Sequence, residues 1–583
     1  MVARTGPGGR ARRLDALLDL WVLVPVVVLG WPLVTRGGYP FARDLVLTPA
    51  LPLRAEALGL GKASPRSAPL DAVVAVLSPA VDGAVLGRIA VLGGLALAGW
   101  GAHRLARPLA LPARALVGAL AVWNPFVVER LGLGQWALVL GYAVLWWVVL
   151  VLRDADGWTL SRVAPWLGLG ALTPTSAVLA GGVALVLGVR RSAGRRSAGL
   201  VGLVAIVQLP WLLPSLLGGA AGTSDPAGVA AFAARAELPG PAVLSLLGLG
   251  GIWDRFSVPG SRTGWLGAVT VLVVLGGLVA AARRPGVVPR RLAVLGAGGL
   301  VLAAVTTVPW GADLVRTGTD VVPGLGLLRD GQKWLAPFVV LAVLGVGVLA
   351  DTALSAARRR APAIVPTLVG AALLAPFVLL PDGAVVVHRV LTPSRYPADF
   401  AAVARVVDGT EGLLVSAPWR LYRAYPWATA YATYDPASRW FDTPVVTADD
   451  LAVGDRVVAG EDPLAARLGP LLASPDARTG ERLAAAGVRW VLVTRTDPDA
   501  GPLLESLAAA PGARRMVDGA DLVLVELADP AAGPPRAAAR EVALVAGTDL
   551  AVLAVLVVVS LSGVTRRRRR VLLLWRSFST GRS

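Results

Sequence analysis

Long apolar stretches that alternate with short polar segments are the dominant pattern along this chain. A helix that crosses a membrane needs about 20 mainly apolar residues, and fewer where neighbouring helices shelter it. The pattern predicts about twelve such helices, near residues 17–35, 83–102, 110–127, 136–152, 161–173, 176–189, 199–218, 264–282, 292–309, 334–350, 362–380 and 543–564. The fifth and sixth are short and meet at 172–176, so they are predicted either as two short helices or as one re-entrant hairpin.

Compact arginine clusters test this pattern, because the cytoplasmic loops of membrane proteins are rich in basic residues. If the chain changes side at every predicted helix, the clusters all fall on one side, at 4–13, 104–107, 153–162, 190–196, 283–291, 358–360 and 566–570. We therefore expect a multi-pass protein of the inner (plasma) membrane with both termini in the cytoplasm. The basic N-terminus is expected to lead into an uncleaved first helix that also serves as the export signal.

The opposite, outer side then carries five segments, and only the last is long enough for a domain: 36–82, 124–135, 219–263, 310–333 and 381–542. In that last segment, apolar runs rich in β-branched residues predict strands at 412–418, 489–495 and 521–527, and 481–487 is helix-like. The predicted fold class is a polytopic α-helical membrane protein with a C-terminal extracytoplasmic α/β domain. Its parts are a helical bundle (1–380), the domain (381–542, ending in a proline-rich linker), and a final transmembrane helix with a basic cytoplasmic tail (543–583).

The composition agrees with a membrane protein and excludes several kinds of chemistry. Hydrophobic residues make up 55% of the chain and charged residues only 16%, below the roughly 25% of soluble proteins. The net charge of +18 comes from short arginine runs between apolar stretches, which argues against nucleic-acid binding. The absence of cysteine excludes disulfides and thiolate chemistry. Because the chain has only two histidines, a metal site rich in histidine is not expected. No Walker, HExxH or GxSxG motif is present, which disfavours ATP-driven pumps and serine hydrolases of those types.

The first outer segment begins GGYPFARDLVLTP and places Arg43 and Asp44 shortly after the first predicted helix. A carboxylate at the membrane surface can accept a proton from a sugar hydroxyl that attacks an activated sugar. The alternative is a solvated loop aspartate that pairs with Arg43.

Two further outer segments carry charged residues next to predicted helices. One holds Glu129, Arg130 and Gln135, and the other holds Arg329, Asp330, Gln332 and Lys333. Charged groups at such a depth are costly and usually have a functional or pairing reason. Arginine and lysine at a membrane surface suit a lipid phosphate. The alternative is that Glu129–Arg130 and Arg329–Asp330 only pin loops together.

Eight aromatic residues fall within 417–442, against 6% aromatic residues in the whole chain. Aromatic faces with polar tips suit sugar rings or a membrane interface. The candidates for contact with an acceptor are Trp419, Tyr422, Tyr425, Trp427 and Trp440. The alternative is that this segment packs the domain onto the membrane part.

These residues carry a resemblance to a known superfamily. Asp44 in the first outer loop, with the phrases NPFVVERLGLGQWALVLGY and LLRDGQKW, resembles the GT-C glycosyltransferases that use polyprenyl-phosphate sugars. The phrases are similar to ones in actinobacterial membrane proteins, including the N-terminal part of arabinofuranosyltransferases. The order of bundle, outer domain with AAAGVRWVLV and final helix also looks like YfhO-type bacterial membrane proteins. A typical GT-C first loop often has two adjacent acids, whereas here Arg43 precedes Asp44.

The resemblance implies a membrane glycosyltransferase that moves a sugar from a polyprenyl phosphate to a cell-envelope glycan or lipid. Asp44 would be the catalytic base, and the donor phosphate would be bound by Arg130, Arg329 and Lys333. The supporting polar residues would be Arg43, Glu129, Gln135, Asp330 and Gln332, and the aromatic segment would bind the acceptor. The expected partners are membrane lipid, the lipid-linked sugar and the acceptor, with no cofactor beyond that co-substrate.

Two other functions stay open. The chain could transport or flip a lipid-linked precursor, or serve as a non-catalytic scaffold of an envelope assembly complex. Transporters usually carry polar groups at mid-membrane and paired repeats. Here the middles of the predicted spans are nearly free of charge and no repeat is visible, which favours an enzyme that works at the outer face.

Overall fold

The computed structural model describes residues 7–61, 66–154, 157–218, 225–321, 324–428, 431–533 and 535–579. A helical part comes first and is followed by an α/β unit, and one long helix ends the described chain. The helices of the helical part are α1 Pro7–Leu29, α2 Trp31–Thr35, α3 Leu70–Leu77, α4 Gly83–Leu105, α5 Leu111–Val122, α6 Pro125–Gly132, α7 Trp136–Leu152, α8 Leu160–Gly170, α9 Pro174–Gly188, α10 Gly194–Ile206, α11 Leu209–Leu217, α12 Ala227–Ala231, α13 Ala242–Leu247, α14 Trp265–Ala282, α15 Arg290–Ala304, α16 Pro309–Val321, α17 Ala336–Arg360, α18 Val365–Leu379 and α19 Gly383–Leu391.

The α/β unit and the chain around it contribute the remaining elements. The helices there are α20 Ala398–Val407, α21 Ala437–Trp440, α22 Pro463–Ala473, α23 Thr479–Ala485, α24 Ala500–Ala509 and α25 Ala539–Ser579. The strands of the whole structure are β1 Phe41–Ala42, β2 Leu45–Val46, β3 Leu413–Ala417, β4 Tyr422–Arg423, β5 Thr433–Tyr434, β6 Val445–Val446, β7 Leu451–Val453, β8 Arg456–Val458, β9 Val488–Thr494, β10 Arg514–Asp518 and β11 Leu522–Glu526.

Seven helical segments among the described residues are long and apolar enough to cross a membrane, and they identify a polytopic helical membrane protein. They are 83–105, 111–132, 265–282, 290–307, 331–360, 362–379 and 539–563, and each lies on a predicted span. An eighth is added if α9 and the bent segment after it, which meet at 97°, form one span. The other predicted spans lie outside these segments, so the larger count stays a prediction. The predicted fifth and sixth spans are two short helices, α8 and α9, with a turn between them.

One continuous apolar core holds most of the helical part together. Small residues bring the helices close, as is common where helices pack inside a membrane. Gly277 of α14 faces Gly345 of α17, and a Cβ on Gly345 would lie 2.8 Å from the carbonyl oxygen of Gly277. Any larger side chain at these two glycines would push the two helices apart.

A two-strand hairpin follows α2 and lies near the start of the segment 36–82. Strand β1 pairs antiparallel with β2, and the turn between them consists of Arg43 and Asp44. The four strand residues are all buried, whereas Asp44 is exposed. Arg43 adopts a φ of 58°, a left-handed conformation that is uncommon for a residue with a side chain and often marks a functional turn. The buried strands therefore hold the turn in place, and the carboxylate of Asp44 extends from it.

The α/β unit is built on a five-stranded mixed sheet with the order β10-β11-β9-β3-β6. Strand β3 runs parallel to β6 and β9, and β11 runs antiparallel to β9 and β10. Side chains that alternate along β3 and β9 enter two separate apolar cores, one on each face of the sheet. The three predicted strands are confirmed as β3, β9 and β11, and the predicted helix at 481–487 as α23.

Aromatic packing joins the hairpin to the α/β unit. The ring of Phe41 stacks on Trp427 at 5.0 Å between centroids and contacts Tyr396 at 5.1 Å and Tyr425 at 5.6 Å. Trp440 packs against Tyr396 at 4.6 Å. We call these five rings the aromatic junction. It fixes the α/β unit beside the turn that carries Asp44.

Candidate functional site

A cavity of about 1270 Å³ lies where the hairpin turn, several helix ends and the α/β unit meet. Predicted site residues from four distant parts of the sequence line it, namely Arg43, Asp44, Gln135, Arg329, Asp330, Lys333, Trp419 and Tyr422. The fold thus brings the predicted acid, two of the three predicted phosphate ligands and two of the predicted aromatic residues into one space.

Asp44 is held from two sides by neutral donors. Gln135 donates from Nε2 to Oδ2 of Asp44 at 3.1 Å, and the hydroxyl of Tyr422 donates to Oδ1. The backbone N–H of Asp44 donates to the carbonyl of Leu133 at 3.2 Å. These contacts fix the orientation of a carboxylate that keeps its exposure to the cavity.

Arg43 does not pair with Asp44, so the alternative of a loop ion pair is wrong. Its guanidinium lies 3.7 Å from Asp254 and 4.4 Å from the ring centroid of Tyr431. The left-handed backbone of Arg43 sends its side chain to these partners and leaves Asp44 to the two neutral donors.

A chain of polar contacts runs from Asp44 to Lys333. Gln135, which donates to Asp44, accepts from Nη1 of Arg130 at 2.7 Å. Arg130 makes two parallel hydrogen bonds to Asp330, both of 2.7 Å. Oδ2 of Asp330 lies 3.5 Å from Nζ of Lys333. One network therefore positions Asp44, the predicted base, and Lys333, a predicted ligand of the donor phosphate.

The structure gives Arg130 a different partner from the phosphate that was predicted for it. Its side chain is fully buried and does not line the cavity, and its bidentate pair with Asp330 occupies both Nη atoms. Such a pair has fixed geometry and satisfies the buried charge. Arg130 is thus placed as a positioning residue, and phosphate contact by it would require this pair to break.

Glu129 and Gln332 form a second hydrogen-bonded pair beside the pair of Arg130 and Asp330, and neither residue lines the cavity. Nε2 of Gln332 donates to Glu129 at 2.7 Å, and both side chains are fully buried. Glu237 lies close to Glu129 and accepts from Nε of Arg262 at 3.0 Å. The two pairs connect α6 to the segment 329–333, which agrees with the alternative that these residues hold loops together.

Arg329 and Lys333 face the cavity as its predicted cations. Arg329 lies 3.7 Å from Glu461, which also accepts from Arg66 at 2.8 Å. Burial and the nearby charge of Arg66 lower the pKa of Arg329, while Glu461 opposes the shift. Burial works against the ionised form of Asp330, but the charges of Arg130 and Lys333 outweigh it and hold its pKa below the usual value.

The lining of the cavity has more basic than acidic side chains and is apolar in part. Seven basic side chains line it against five acidic ones. The apolar part of its lining, which we call the apolar wall, consists of Leu133, Trp211, Leu212, Leu216, Phe232, Trp253, Phe256 and Leu327. Leu216 is 68% exposed, so this wall continues onto the outer surface of α11. A space of this kind suits an anion attached to a hydrocarbon chain.

The predicted aromatic residues divide into two groups. Trp419 and Tyr422 line the cavity. Tyr425, Trp427 and Trp440 belong to the aromatic junction instead, so the expectation that they contact the acceptor is not supported by the geometry. Tyr425 is only 4% exposed, which leaves no face for a sugar ring.

Several charged residues of the cavity had no distinguishing signal in the sequence. They are Arg66, Arg235, Asp254, Arg255, Asp450 and Glu461. They lie in long segments between helices where acids and bases are mixed, and no recognisable motif surrounds them. Among the described residues, no group of three or more His, Asp or Glu side chains could hold a metal ion.

The fold and the cavity define a polytopic helical membrane protein with an α/β unit whose residues line a polar cavity together with those of the helical part. This fold is similar to that of the arabinofuranosyltransferase AftD from Mycobacteria. One AftD structure aligns with a TM-score of 0.58 at 17% identity and covers 88% of this chain, and a mutant form aligns with 0.55 at 16% identity and 88% coverage. The predicted resemblance to arabinofuranosyltransferases is confirmed at the level of the fold alone.

The chain spans only 40% of the length of that AftD structure. ArnT from Cupriavidus metallidurans, in a structure bound to undecaprenyl phosphate, aligns with a TM-score of 0.39 at 14% identity, over 89% of this chain and 99% of ArnT, and that score is too low to carry an argument. No family model matches the chain, and no curated protein matches it.

Proposed function

We propose that this protein is a membrane glycosyltransferase that uses a polyprenyl-phosphate sugar and acts on a cell-envelope glycan or lipid. The observation that carries the proposal is the single cavity that holds Asp44 together with Lys333 and Arg329. The fold shared with AftD supports it. Because AftD is named an arabinofuranosyltransferase, a polyprenyl-phosphate arabinose is the first donor to test.

The donor would bind with its phosphate against Lys333 and Arg329 and its hydrocarbon chain along the apolar wall. Lysine offers a point charge, and arginine offers a fork that matches phosphate oxygens. A donor phosphate would compete with Glu461 for Arg329, since their present separation of 3.7 Å leaves room for a closer partner. Trp211 and Leu212 of α11 would contact the chain.

In the reaction, a hydroxyl oxygen of the acceptor attacks the anomeric carbon of the donor sugar. The bond between that carbon and the phosphate oxygen breaks, and its electron pair leaves with the polyprenyl phosphate, whose charge Lys333 and Arg329 stabilise. The hydroxyl proton passes to Asp44 as general base. Burial and the charge of Asp44 raise the pKa of Tyr422 well above its usual value, so the phenol keeps its proton and continues to orient the carboxylate.

The acceptor would enter from the α/β unit, whose Trp419, Arg420 and Asp450 line the same cavity. Trp419 offers an aromatic face to a sugar ring, and the charged neighbours offer hydrogen bonds to its hydroxyls. The arginine pattern supports an orientation with this unit outside the plasma membrane and both termini in the cytoplasm.

The decisive experiment is sugar transfer by the purified chain in lipid nanodiscs, with labelled polyprenyl-phosphate arabinose and an envelope glycan acceptor. We expect Asp44→Asn to abolish transfer at unchanged expression. Glu505→Gln, at an exposed acid outside the cavity, is the matched control and should leave transfer intact. Transfer that survives Asp44→Asn would overturn the base assignment. A wild-type chain that moves the lipid-linked sugar across vesicles without transferring it would support the transporter alternative.

A further inference from the structure

A second, smaller cleft of about 560 Å³ lies where the end of α2 meets the chain that leaves α19. It shares no lining residue with the large cavity. Its rim carries Arg36 and Arg395, one wall is formed by Trp427, and no carboxylate lines it. The cleft is thus a separate basic site.

The floor of the cleft is fixed by backbone contacts. Tyr39 and Ser394 exchange two backbone hydrogen bonds of 2.8 and 2.9 Å. Gly38 permits this close approach, because its φ is 111° and a Cβ there would lie 2.6 Å from the carbonyl oxygen of Ser394. Arg88 donates to the carbonyls of Arg36 and Gly38 at 2.8 and 3.0 Å and anchors the strand from the side of α4.

The two rim arginines lack a carboxylate partner among the described residues. Both side chains are exposed, and they face one small space with no acid to neutralise them. A pair of guanidinium groups in that arrangement suits an anion with several oxygens, such as a phosphate.

The cleft lies at the level where the apolar surface of α2 ends. Trp31 and Val34 are each 53% exposed and therefore face lipid in a membrane protein. Arg36 follows them by only a few residues. Tryptophan is frequent at the membrane–water boundary, and basic pockets at that boundary hold lipid head groups.

We propose that this cleft binds the phosphate head group of an anionic phospholipid, with Arg36 and Arg395 on the phosphate. The shared chemistry is a phosphate anion. The lipid is favoured over a soluble phosphate, because exposed apolar side chains that can receive acyl chains precede the cleft directly. The inference does not depend on the proposed transferase activity.

Native mass spectrometry of the full chain released from phosphatidylcholine vesicles with a minor fraction of phosphatidylglycerol tests the inference. We expect a retained phosphatidylglycerol on the wild type and about thirtyfold weaker retention on the double variant Arg36→Ala/Arg395→Ala. The matched control is Arg405→Ala/Arg467→Ala, which removes two exposed arginines that line neither cavity. Equal retention in the double variant and the control would overturn the proposal.

A second variant removes the space and keeps the charges. A Cβ on Gly37 meets nothing within 4 Å, and its φ lies outside the left-handed region, so Gly37→Leu should fold and fill the cleft. We expect it to lose the bound phosphatidylglycerol as well, with a wild-type melting temperature. Inorganic phosphate should not displace the lipid at millimolar concentration; displacement by it would identify a site for soluble anions and overturn the lipid assignment.

Discussion

The hydroxyl of Tyr422 donates a hydrogen bond to the carboxylate of Asp44, although the two residues are 378 positions apart. The contact crosses from the α/β unit to the turn of the first hairpin. The candidate site is therefore incomplete in either part alone. The aromatic junction, in which Phe41 stacks on Trp427, holds the hairpin and the α/β unit in position for this contact.

Tyr422→Phe tests that contact. The variant keeps the ring, which packs against Tyr434 at 6.0 Å, and removes the donor. We expect the rate of sugar transfer to fall about ten- to a hundredfold, since one of two groups that orient the base is lost, with an unchanged melting temperature. Tyr434→Phe, outside the cavity lining, is the control. An unaltered rate in Tyr422→Phe would argue that Asp44 needs no support from the α/β unit.

The pair Arg130–Asp330 is predicted to be a structural requirement. Asp330→Ala leaves a fully buried guanidinium without its partner, which costs about 3–5 kcal/mol of folding stability. The double variant Arg130→Met/Asp330→Leu should recover most of that loss and still transfer sugar poorly, because Lys333 loses its anchor. Thermal unfolding in detergent and a transfer assay on the same samples separate the two effects. Full activity of the double variant would contradict the positioning role of this pair.

Acid should weaken the protein through Asp330. The pKa of this carboxyl lies below its usual value, so its ionised form stabilises the folded state above about pH 4. That stabilisation should be lost as the pH falls through the lower pKa of the folded state. We expect the difference in melting temperature between the wild type and Asp330→Asn to be constant near neutral pH and to shrink below about pH 4. A constant difference throughout would exclude the ionised pair as its source.

Lys333 should act on the donor. Lys333→Gln removes a cation from the cavity, and we expect kcat/KM for the lipid-phosphate sugar to fall about a hundred- to a thousandfold. Arg316→Gln, in the exposed ion pair with Asp313 on α16, is the matched control. Steady-state kinetics with varied donor give the value. A loss confined to the KM of the acceptor would assign Lys333 to the other substrate.

The apolar wall should matter only for long donors. Trp211→Ala is expected to raise the KM of a full-length polyprenyl donor about tenfold, since it removes a large apolar contact, and to leave a short, water-soluble analogue unaffected. Leu314→Gln changes an exposed apolar residue outside the cavity and serves as control. The same change in KM for both donors would place the hydrocarbon chain elsewhere.

The seven spans and the three strands that the structure confirms followed from the sequence because their signals are local. A run of apolar residues or a β-branched stretch depends on its own neighbours, and helices lie on every predicted span. The phrases LLRDGQKW and NPFVVERLGLGQW indicated that charged residues near 130 and 330 have a role. Their pairing was hidden, because nothing local distinguishes an arginine that meets Asp330 from 200 positions away from one that faces a cavity.

The aromatic segment shows the same limit. Its eight aromatic residues stand close together in the sequence, yet Trp419 lines the cavity whereas Trp427 belongs to the aromatic junction. This segment is irregular and has only short strands, so its sequence shows no periodicity from which the direction of each side chain could be inferred. Arg66 and Glu461 were missed for a related reason, since each becomes notable only through the other.

The hairpin turn that carries Asp44 has a consequence for protein engineering. Asp44 receives one hydrogen bond from Gln135, at the start of α7, and another from Tyr422 of β4. If the hairpin loop were transferred into a related protein, Asp44 would be transferred without either of its two hydrogen-bond donors. A chimera with an exchanged hairpin or α/β unit is therefore expected to reach full activity only when it supplies a phenol at the position of Tyr422.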